Sequence, residues 1–92
     1  MPITHVAGKN KGNIILYALS TCVWCRKTKQ LLDRLGVAYN YIDVDQLPGD
    51  EKNIVTEEIK KLNPRCSFPT ISINDKCVVG FDQQKIEEAL GP

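Results

Sequence analysis

Apolar residues follow two different patterns along this chain. Short continuous runs rich in Val and Ile are typical of strands that are covered on both faces of a sheet. Longer stretches, in which apolar positions recur every three or four residues, are typical of amphipathic helices. The predicted strands are Ile14–Tyr17, Val37–Val44, Thr70–Ile73 and Cys77–Val79, and the predicted helices are Cys22–Leu35, Glu51–Leu62 and Asp82–Leu90.

Cap and turn residues mark the boundaries of these elements. Thr21 or Cys22 is expected to cap the first helix, and Gly36 to end it in the left-handed conformation that glycine tolerates. Asp82 is expected to cap the last helix. Residues 74–76 have the composition of a tight turn, which predicts that the last two strands form an antiparallel hairpin.

The order of the elements predicts the fold class. The chain runs strand, helix, strand, helix, strand, strand, helix, which is a right-handed parallel crossover unit followed by a hairpin. We therefore expect an α/β fold with a four-stranded mixed sheet and helices on both faces. Residues 1–12 show no such pattern, so we expect a flexible polar leader there and one folded domain over residues 13–92.

Composition and charge exclude several classes of partner. The chain carries 12 Lys and Arg against 11 Asp and Glu, so its net charge of +1 supplies no strong field for nucleic acid or an acidic membrane surface. No apolar run approaches the roughly 20 residues that span a bilayer. Because the N-terminus also lacks the apolar stretch of a signal peptide, we expect a cytoplasmic protein, and a monomer. In that reducing compartment, cysteines favour catalysis or metal binding over structural disulfides.

Two of the four cysteines form the motif Cys22-Val23-Trp24-Cys25, where the first predicted strand leads into the first predicted helix. A thiol at a helix N-terminus faces unpaired backbone N–H groups and the positive end of the helix dipole, and both favour the thiolate. Arg26 adds positive charge in the first turn. Because the thiolate attacks in disulfide exchange, Cys22 is the expected nucleophile, and Cys25, one turn deeper, is the expected resolving thiol.

Other interpretations of the cysteines are open. A structural metal site would need a second ligand pair at suitable spacing, but ten residues separate Cys66 from Cys77, so no metal ligands are predicted. The motif could also be a coincidence of two buried cysteines in one helix. Cys66, three residues before Pro69, is either a third redox thiol or a small packed side chain.

The dipeptide Phe68-Pro69 opens the third predicted strand. The peptide bond before a proline is the kind that adopts the cis form at low cost. A cis bond here would turn the backbone N–H and C=O of Phe68 outward, where they could pair with an extended peptide or thiol substrate. Trp24, between the cysteines, is expected to be partly exposed and to contact the substrate, with packing as the alternative.

Together these segments resemble the glutaredoxin branch of the thioredoxin superfamily. The resemblance spans residues 13–91 and rests on the strand at 14–17, the Cys22-x-x-Cys25 motif, Phe68-Pro69 and Gly80-Phe81-Asp82. It implies a thioredoxin-like fold and dithiol redox activity, often with glutathione as reductant and with no tightly bound cofactor. The expected contacts to substrate or glutathione are Trp24, Arg26, Phe68, Pro69, Gly80, Phe81 and Asp82.

The resemblance also implies roles for single residues, and it has gaps. Residues 67–69 match the segment whose backbone holds glutathione, and Asp82 would receive the glutathione amino group. Three positions depart from the family pattern: Leu19 replaces a lysine, Val79 replaces a glycine and Cys66 replaces a basic residue. Because charged contacts to carboxylates are strong, their loss should weaken glutathione binding.

The sequence leaves the identity of the electron donor open. Gly80-Phe81 followed by Lys85-Ile86 is also similar to the glutaredoxin-like redoxins that serve ribonucleotide reductase and are reduced by a flavin-dependent disulfide reductase. Disulfide-containing client proteins are the expected partners in either case. Because Val23 replaces the proline common in the family motif, a glutaredoxin-type carrier of a [2Fe–2S] cluster is the alternative function. A redox-inert binding module that keeps the fold is the third.

Overall fold

The computed structural model of the protein describes residues 3–91. These residues form five strands, three α-helices and one turn of 3₁₀ helix. The strands are β1 (Thr4–Val6), β2 (Ile14–Ala18), β3 (Tyr39–Asp43), β4 (Thr70–Ile73) and β5 (Lys76–Val79). The helices are α1 (Val23–Leu35), α2 (Gly49–Leu62) and α3 (Gln83–Leu90), and the 3₁₀ turn is Val44–Gln46.

All the strands within residues 3–91 share one mixed sheet, in the order β1-β3-β2-β4-β5. β2 and β3 run parallel, with α1 as their crossover. β4 is antiparallel to both β2 and β5. The parallel crossover unit and the C-terminal hairpin are therefore confirmed, and the sheet is of the mixed kind that the sequence predicts.

The predicted count of four strands is wrong by one, because Thr4–Val6 forms an additional edge strand. It lies in the segment 1–12 that the sequence predicts as a flexible polar leader, and it pairs antiparallel with β3. Its side chains are mostly exposed, so the strand is held by backbone pairing and leaves no apolar pattern to detect. Residues 1 and 2 of the predicted leader, and residue 92 of the predicted domain, lie outside the described residues.

The chain between β1 and β2 is also attached to the fold. Lys9 donates its backbone N–H to the Gly36 carbonyl at 2.8 Å and accepts the Ala38 N–H at 2.9 Å. A Cβ atom on Gly8 would lie 2.6 Å from the carbonyl carbon of Val37. Glycine is needed at residue 8 because the two backbone segments approach so closely.

Helices cover both faces of the sheet, as predicted. Leu32 of α1 and Ile86 of α3 are fully buried in the hydrophobic cluster on one face. Val55 and Ile59 of α2 are fully buried in the cluster on the other. None of the helices within residues 3–91 combines the length and apolar character needed to cross a membrane.

The strand register brings two loops together at one edge of the sheet. β2 and β3 are parallel, with Ala18 opposite Asp43, so both strands end at the same edge. The loop that leads to Cys22 leaves β2 there, and the 3₁₀ turn leaves β3 beside it. The carboxyl edge of parallel strands is the usual ligand-binding edge of an open α/β sheet, and the cysteine motif begins at this edge.

Candidate active site

Cys22 is the N-cap residue of α1, one of the two positions predicted for the cap. Its backbone is extended (φ −86°, ψ 120°), and its Sγ accepts the backbone N–H of Cys25 at 3.2 Å. The N–H of Cys22 donates to the Leu19 carbonyl at 3.1 Å, which closes a turn immediately before the helix. The half-buried Cys22 sulfur thus takes the place of a capping oxygen, where helix N–H groups stabilise negative charge.

Cys25 lies in the first turn of α1 and is fully buried. Burial is the main reason that the pKa of the Cys25 thiol is raised to about 12, and its hydrogen bond with Cys22 adds to the effect. Cys25 is therefore a neutral thiol at neutral pH. Of the two sulfurs, the one on Cys22 is half-buried and accepts a helix N–H, whereas the one on Cys25 is sealed from solvent.

Basic side chains follow the motif in the first turns of α1. Arg26 and Lys27 are both exposed, and the first turn holds no acidic residue. The Lys27 ammonium lies 4.7 Å from the ring centroid of Trp24, which is a cation–π distance. Positive charge near a helix start favours a thiolate over a thiol.

A shallow groove of about 240 Å³ adjoins the cysteine motif. It is lined by Trp24, Phe68, Pro69, Gly80 and Phe81. The rings of Trp24 and Phe81 stack, with centroids 5.9 Å apart and planes inclined by 29°. Trp24 nevertheless remains 54% exposed. The structure thus brings five of the seven predicted contact residues together around one aromatic surface that is open to solvent.

Hydrogen bonds fix the segment on the far side of the groove. The Phe68–Pro69 peptide bond is cis, which is the form that would turn the Phe68 backbone outward. The buried Pro69 accepts the Gly80 N–H at its carbonyl oxygen at 2.8 Å, which joins the segment before β4 to the end of β5. The Thr70 hydroxyl donates to the Ser67 carbonyl at 2.7 Å. Hydrogen bonds therefore fix the residues on both sides of Phe68.

Comparison with known proteins agrees with this geometry. Residues 14–78 match the family model described as glutaredoxin. The chain belongs to the glutaredoxin family. The crystal structure of the glutaredoxin from Methanosarcina mazei Go1 has a TM-score of 0.93 at 49% identity, covering 98% of this chain and 88% of that one. Methanoredoxin from Methanosarcina acetivorans has a TM-score of 0.89 at 48% identity, covering 92% and 90%. Glutaredoxin 1 of Rickettsia prowazekii is 39% identical over 69 residues, which are 75% of this chain and 70% of the relative.

Membership of the family establishes the fold and the general activity of this glutaredoxin. Its fold is thioredoxin-like, with the five-stranded sheet described above for residues 3–91. At the general level it is a thiol–disulfide oxidoreductase. The cysteine pair at the start of α1, next to the aromatic groove, is its candidate active site.

Two predicted contact residues of this glutaredoxin lie outside the groove lining. Asp82 caps α3, as predicted, and its carboxylate accepts the Lys85 N–H at 3.0 Å. Arg26 is exposed on α1. Neither is among the residues that line the groove, so their contact with a ligand remains a prediction.

Sequence reasoning missed two polar residues that support the site. Asn63, the residue after α2, is buried and donates from Nδ2 to Ser67 Oγ at 2.9 Å and to Thr70 Oγ1 at 3.2 Å. It thereby links α2 to the Pro69 segment, and burial of an Asn leaves no sequence pattern. Asp45 accepts two hydrogen bonds from Ser20. The sequence does carry one signal for this contact: a polar residue follows each of the two neighbouring parallel strands.

The other cysteines of this glutaredoxin lie at different places. Cys66 has a left-handed backbone (φ 50°) and packs, half-buried, against the hydrophobic cluster on the α2 face, as Leu19 and Phe68 do. Cys77 is exposed on the edge strand β5. All four cysteines, which fall within residues 3–91, are free thiols. The same residues contain no group of three or more His, Cys, Asp or Glu side chains that could hold a metal ion.

Proposed function

We propose that this protein is a dithiol electron carrier that reduces protein or glutathione mixed disulfides, with Cys22 as the nucleophile and Cys25 as the resolving thiol. The observation that carries the proposal is the contrast between the two sulfurs. Cys22 Sγ accepts a backbone N–H at the start of α1, whereas Cys25 is buried with its pKa raised to about 12. One sulfur is suited to be a thiolate and the other a thiol, as exchange in two steps requires.

The proposed reaction begins when the Cys22 thiolate attacks one sulfur of the client disulfide. The client S–S bond breaks, a Cys22–client disulfide forms, and the second client sulfur leaves as a thiolate that takes a proton from solvent. Cys25 then gives its proton to solvent and attacks Cys22 Sγ. The remaining client sulfur leaves as a thiolate, and a Cys22–Cys25 disulfide remains. Two electrons pass from the pair to the client.

The first step itself prepares Cys25 for the second. Burial is the largest cause of the raised pKa of Cys25, and the hydrogen bond and charge interaction with Cys22 contribute after it. Once Cys22 is bonded to a client, its sulfur no longer carries charge, so those contributions from Cys22 diminish. Burial remains, and it protects the resolving thiol from other electrophiles in the resting state.

The lining of the groove favours a polypeptide as the principal client. Trp24, Phe68 and Phe81 give it an aromatic wall that suits the side chains next to a client disulfide. Glutathione would use the Phe68 backbone and Asp82, as the family resemblance implies. Leu19, in the place of a family lysine, packs against the hydrophobic cluster on the α2 face and offers no charge to a glutathione carboxylate. We therefore propose glutathione or a flavin-dependent disulfide reductase as donor, with glutathione bound weakly.

A turnover assay with a glutathionylated peptide tests this proposal. One arm supplies glutathione with glutathione reductase, and the other supplies a flavin-dependent disulfide reductase. We expect Cys22→Ser to lose turnover in both arms. Cys25→Ser should lose it in the reductase arm, because no intramolecular disulfide forms. Cys77→Ser, which alters an exposed thiol on β5, is the matched control and should be unchanged. Full turnover by Cys22→Ser contradicts the proposal.

A [2Fe–2S] cluster, the alternative function, needs more ligands than come together within residues 3–91 of one chain. Within residues 3–91 no group of three or more ligating side chains comes together, and Cys25 is buried beneath Cys22 in the helix. A [2Fe–2S] cluster at Cys22 would therefore draw ligands from other molecules. Anaerobic reconstitution with iron and sulfide separates the two functions. We expect a colourless protein that keeps its exchange activity, whereas a coloured assembly that loses its colour on Cys22→Ser would favour the cluster.

A further inference from the structure

The loop before Cys22 is held by a carboxylate from another part of the chain. Ser20 donates its backbone N–H to Asp45 Oδ1 at 2.8 Å, and its hydroxyl donates to Asp45 Oδ2. Gln46 Nε2 donates to Ser20 Oγ at 3.2 Å and to Asp45 Oδ2 at 3.1 Å. These three residues form one hydrogen-bonded network that begins two residues before Cys22.

The network follows from the topology of the sheet. Ala18, at the end of β2, lies opposite Asp43, at the end of the parallel strand β3. Ser20 and Asp45 each lie two residues beyond these partners, so they meet at the same edge. The contact therefore ties the Cys22 loop to the turn that follows β3. It is separate from the hydrogen bond by which Cys22 caps α1.

The same loop is bonded to the backbone of Cys22. The Cys22 N–H donates to the Leu19 carbonyl at 3.1 Å, so Ser20 lies inside the turn that ends at Cys22. Fixing Ser20 fixes this turn, and with it the point at which the chain enters α1. Position matters here because the helix start stabilises negative charge only within about its first turn.

The negative charge of Asp45 and the loop position that its hydrogen bonds fix should have opposite effects on a thiolate at Cys22. The hydrogen bonds from Ser20 are the main reason that the pKa of Asp45 is lowered to about 2. Asp45 is therefore ionised at neutral pH and stays a strong acceptor. Its negative charge, taken alone, disfavours a neighbouring thiolate. A benefit of Asp45 to Cys22 must therefore come from the hydrogen bonds that place the loop.

We infer that Asp45 is a positioning residue for the nucleophilic thiol: through Ser20 it holds the Leu19–Cys22 turn so that the Cys22 sulfur stays on the Cys25 N–H at the start of α1. The inference rests on the proposed function, in which Cys22 is the nucleophile. It assigns Asp45 a role in the rate of exchange, although Asp45 is not among the residues that line the groove.

The test compares Asp45→Asn and Ser20→Ala with wild type. Asp45→Asn replaces one acceptor oxygen with a donor, and Ser20→Ala removes only the hydroxyl. Asp75→Asn removes the same charge in the β4–β5 turn, away from the network, and is the matched control. The first readout is the rate of iodoacetamide labelling of Cys22 at pH 7, resolved by peptide mapping. Exposed Cys77 in the same molecule is the internal reference.

We expect Asp45→Asn to slow Cys22 labelling about tenfold, which is the order expected when a charged hydrogen-bond partner is lost. Ser20→Ala, which keeps the backbone N–H contact, should slow it about threefold. Cys77 labelling and the Asp75→Asn protein should be unchanged. In turnover, kcat should fall with labelling while KM for the peptide disulfide stays within about twofold, since the groove is intact.

Two outcomes would overturn the inference. Cys22 labelling at or above the wild-type rate in both variants would mean that Asp45 acts through charge alone or not at all. Equal slowing of Cys22 and Cys77 would mean a general structural effect. Labelling of Cys25 would reveal unfolding of Asp45→Asn, and Ser20→Ala then decides the matter. Loss of the proposed function is distinguishable, because it would appear as turnover by Cys22→Ser, whereas the labelling comparison requires no turnover.

Discussion

Cys25 donates its backbone N–H to the Sγ of Cys22 at 3.2 Å, while its own thiol is fully buried in the first turn of α1. The two cysteines are only three residues apart, yet one sulfur caps the helix and the other is shielded from solvent. The order of the two cysteines along the chain decides which is which, because the first residue of the motif is the cap.

Cys25→Ser should trap a covalent intermediate. Serine at residue 25 keeps the backbone N–H that contacts Cys22 Sγ, so attack on a peptide disulfide should proceed, but nothing releases the product. Intact mass spectrometry should show the protein with one peptide attached. Cys22→Ser is the control and should carry no adduct. Failure of the Cys25→Ser protein to accumulate the adduct would remove Cys25 from the resolving role.

Phe81→Ala should weaken binding of polypeptide clients. The mutation removes the ring that stacks on Trp24 in the groove lining. An aromatic contact between Phe81 and a client side chain would be worth about 0.5–1.5 kcal/mol, so we expect KM for a peptide disulfide to rise about three- to tenfold with a small change in kcat. Val79→Ala, which alters an exposed side chain outside the groove lining, is the control.

A small disulfide gives the second half of the Phe81 test. Hydroxyethyl disulfide has no side chains to fill the groove, so its kcat/KM should be nearly the same for Phe81→Ala and wild type. Equal losses for the peptide and the small disulfide would mean that Phe81 supports the fold of the site and does not bind the client.

Much of this fold could be predicted because local chemistry and tertiary structure agree. Gly36 ends α1 with a left-handed backbone (φ 70°), and Asp82 caps α3 through the Lys85 N–H. The apolar periods identify the buried faces of α1 and α3, whereas in α2 Val55 and Ile59 are buried but Ile54 and Leu62, which belong to the same predicted apolar face, are exposed. The predictions for Cys22, Trp24 and the Phe68-Pro69 segment depended on such local signals, and the structure brings Trp24, Phe68 and Pro69 together.

The missed features depend on contacts between distant residues. β1 is an exposed edge strand whose bonds go to β3, so its own sequence carries no apolar period. The strand predicted to reach Val44 ends at Asp43, because the chain turns there into the 3₁₀ turn. That turn places Asp45 beside Ser20, across 25 residues of sequence. Polar contacts of this kind become visible only once the sheet register is known.

Truncation of a buried side chain in α3 should destabilise the protein far more than truncation of an exposed side chain in α2. Ile86 of α3 is fully buried, so Ile86→Ala should lower the free energy of unfolding by about 2–5 kcal/mol. Ile54 of α2 is 55% exposed, so Ile54→Ala should change it by no more than about 0.5 kcal/mol. Urea denaturation measures both. Similar losses in the two variants would contradict the assignment of the core.

Asp45 should make stability depend on acid pH. Ser20 holds the pKa of Asp45 at about 2, below its ordinary value of 3.8. A carboxyl group with a lowered pKa in the folded state stabilises that state above the unfolded pKa, and this contribution is lost as the pH falls toward 2. The effect should be modest, because Asp45 is partly exposed and solvent screens it.

Urea denaturation between about pH 5 and about pH 2 checks the pH prediction. Over this range the free energy of unfolding should fall further for wild type than for Asp45→Asn, which has no carboxyl group to titrate at residue 45. Asp75→Asn should follow wild type. Parallel pH curves for wild type and Asp45→Asn would show that the Ser20 contact does not stabilise the folded state.

The most direct test of the central claim is to label the fully reduced protein briefly with iodoacetamide at pH 7 and to map the modified residues by mass spectrometry. We predict rapid modification of Cys22 and none of Cys25 until the protein is denatured. Labelling of Cys25 in the folded protein, at a rate equal to or above that of Cys22, would contradict the account.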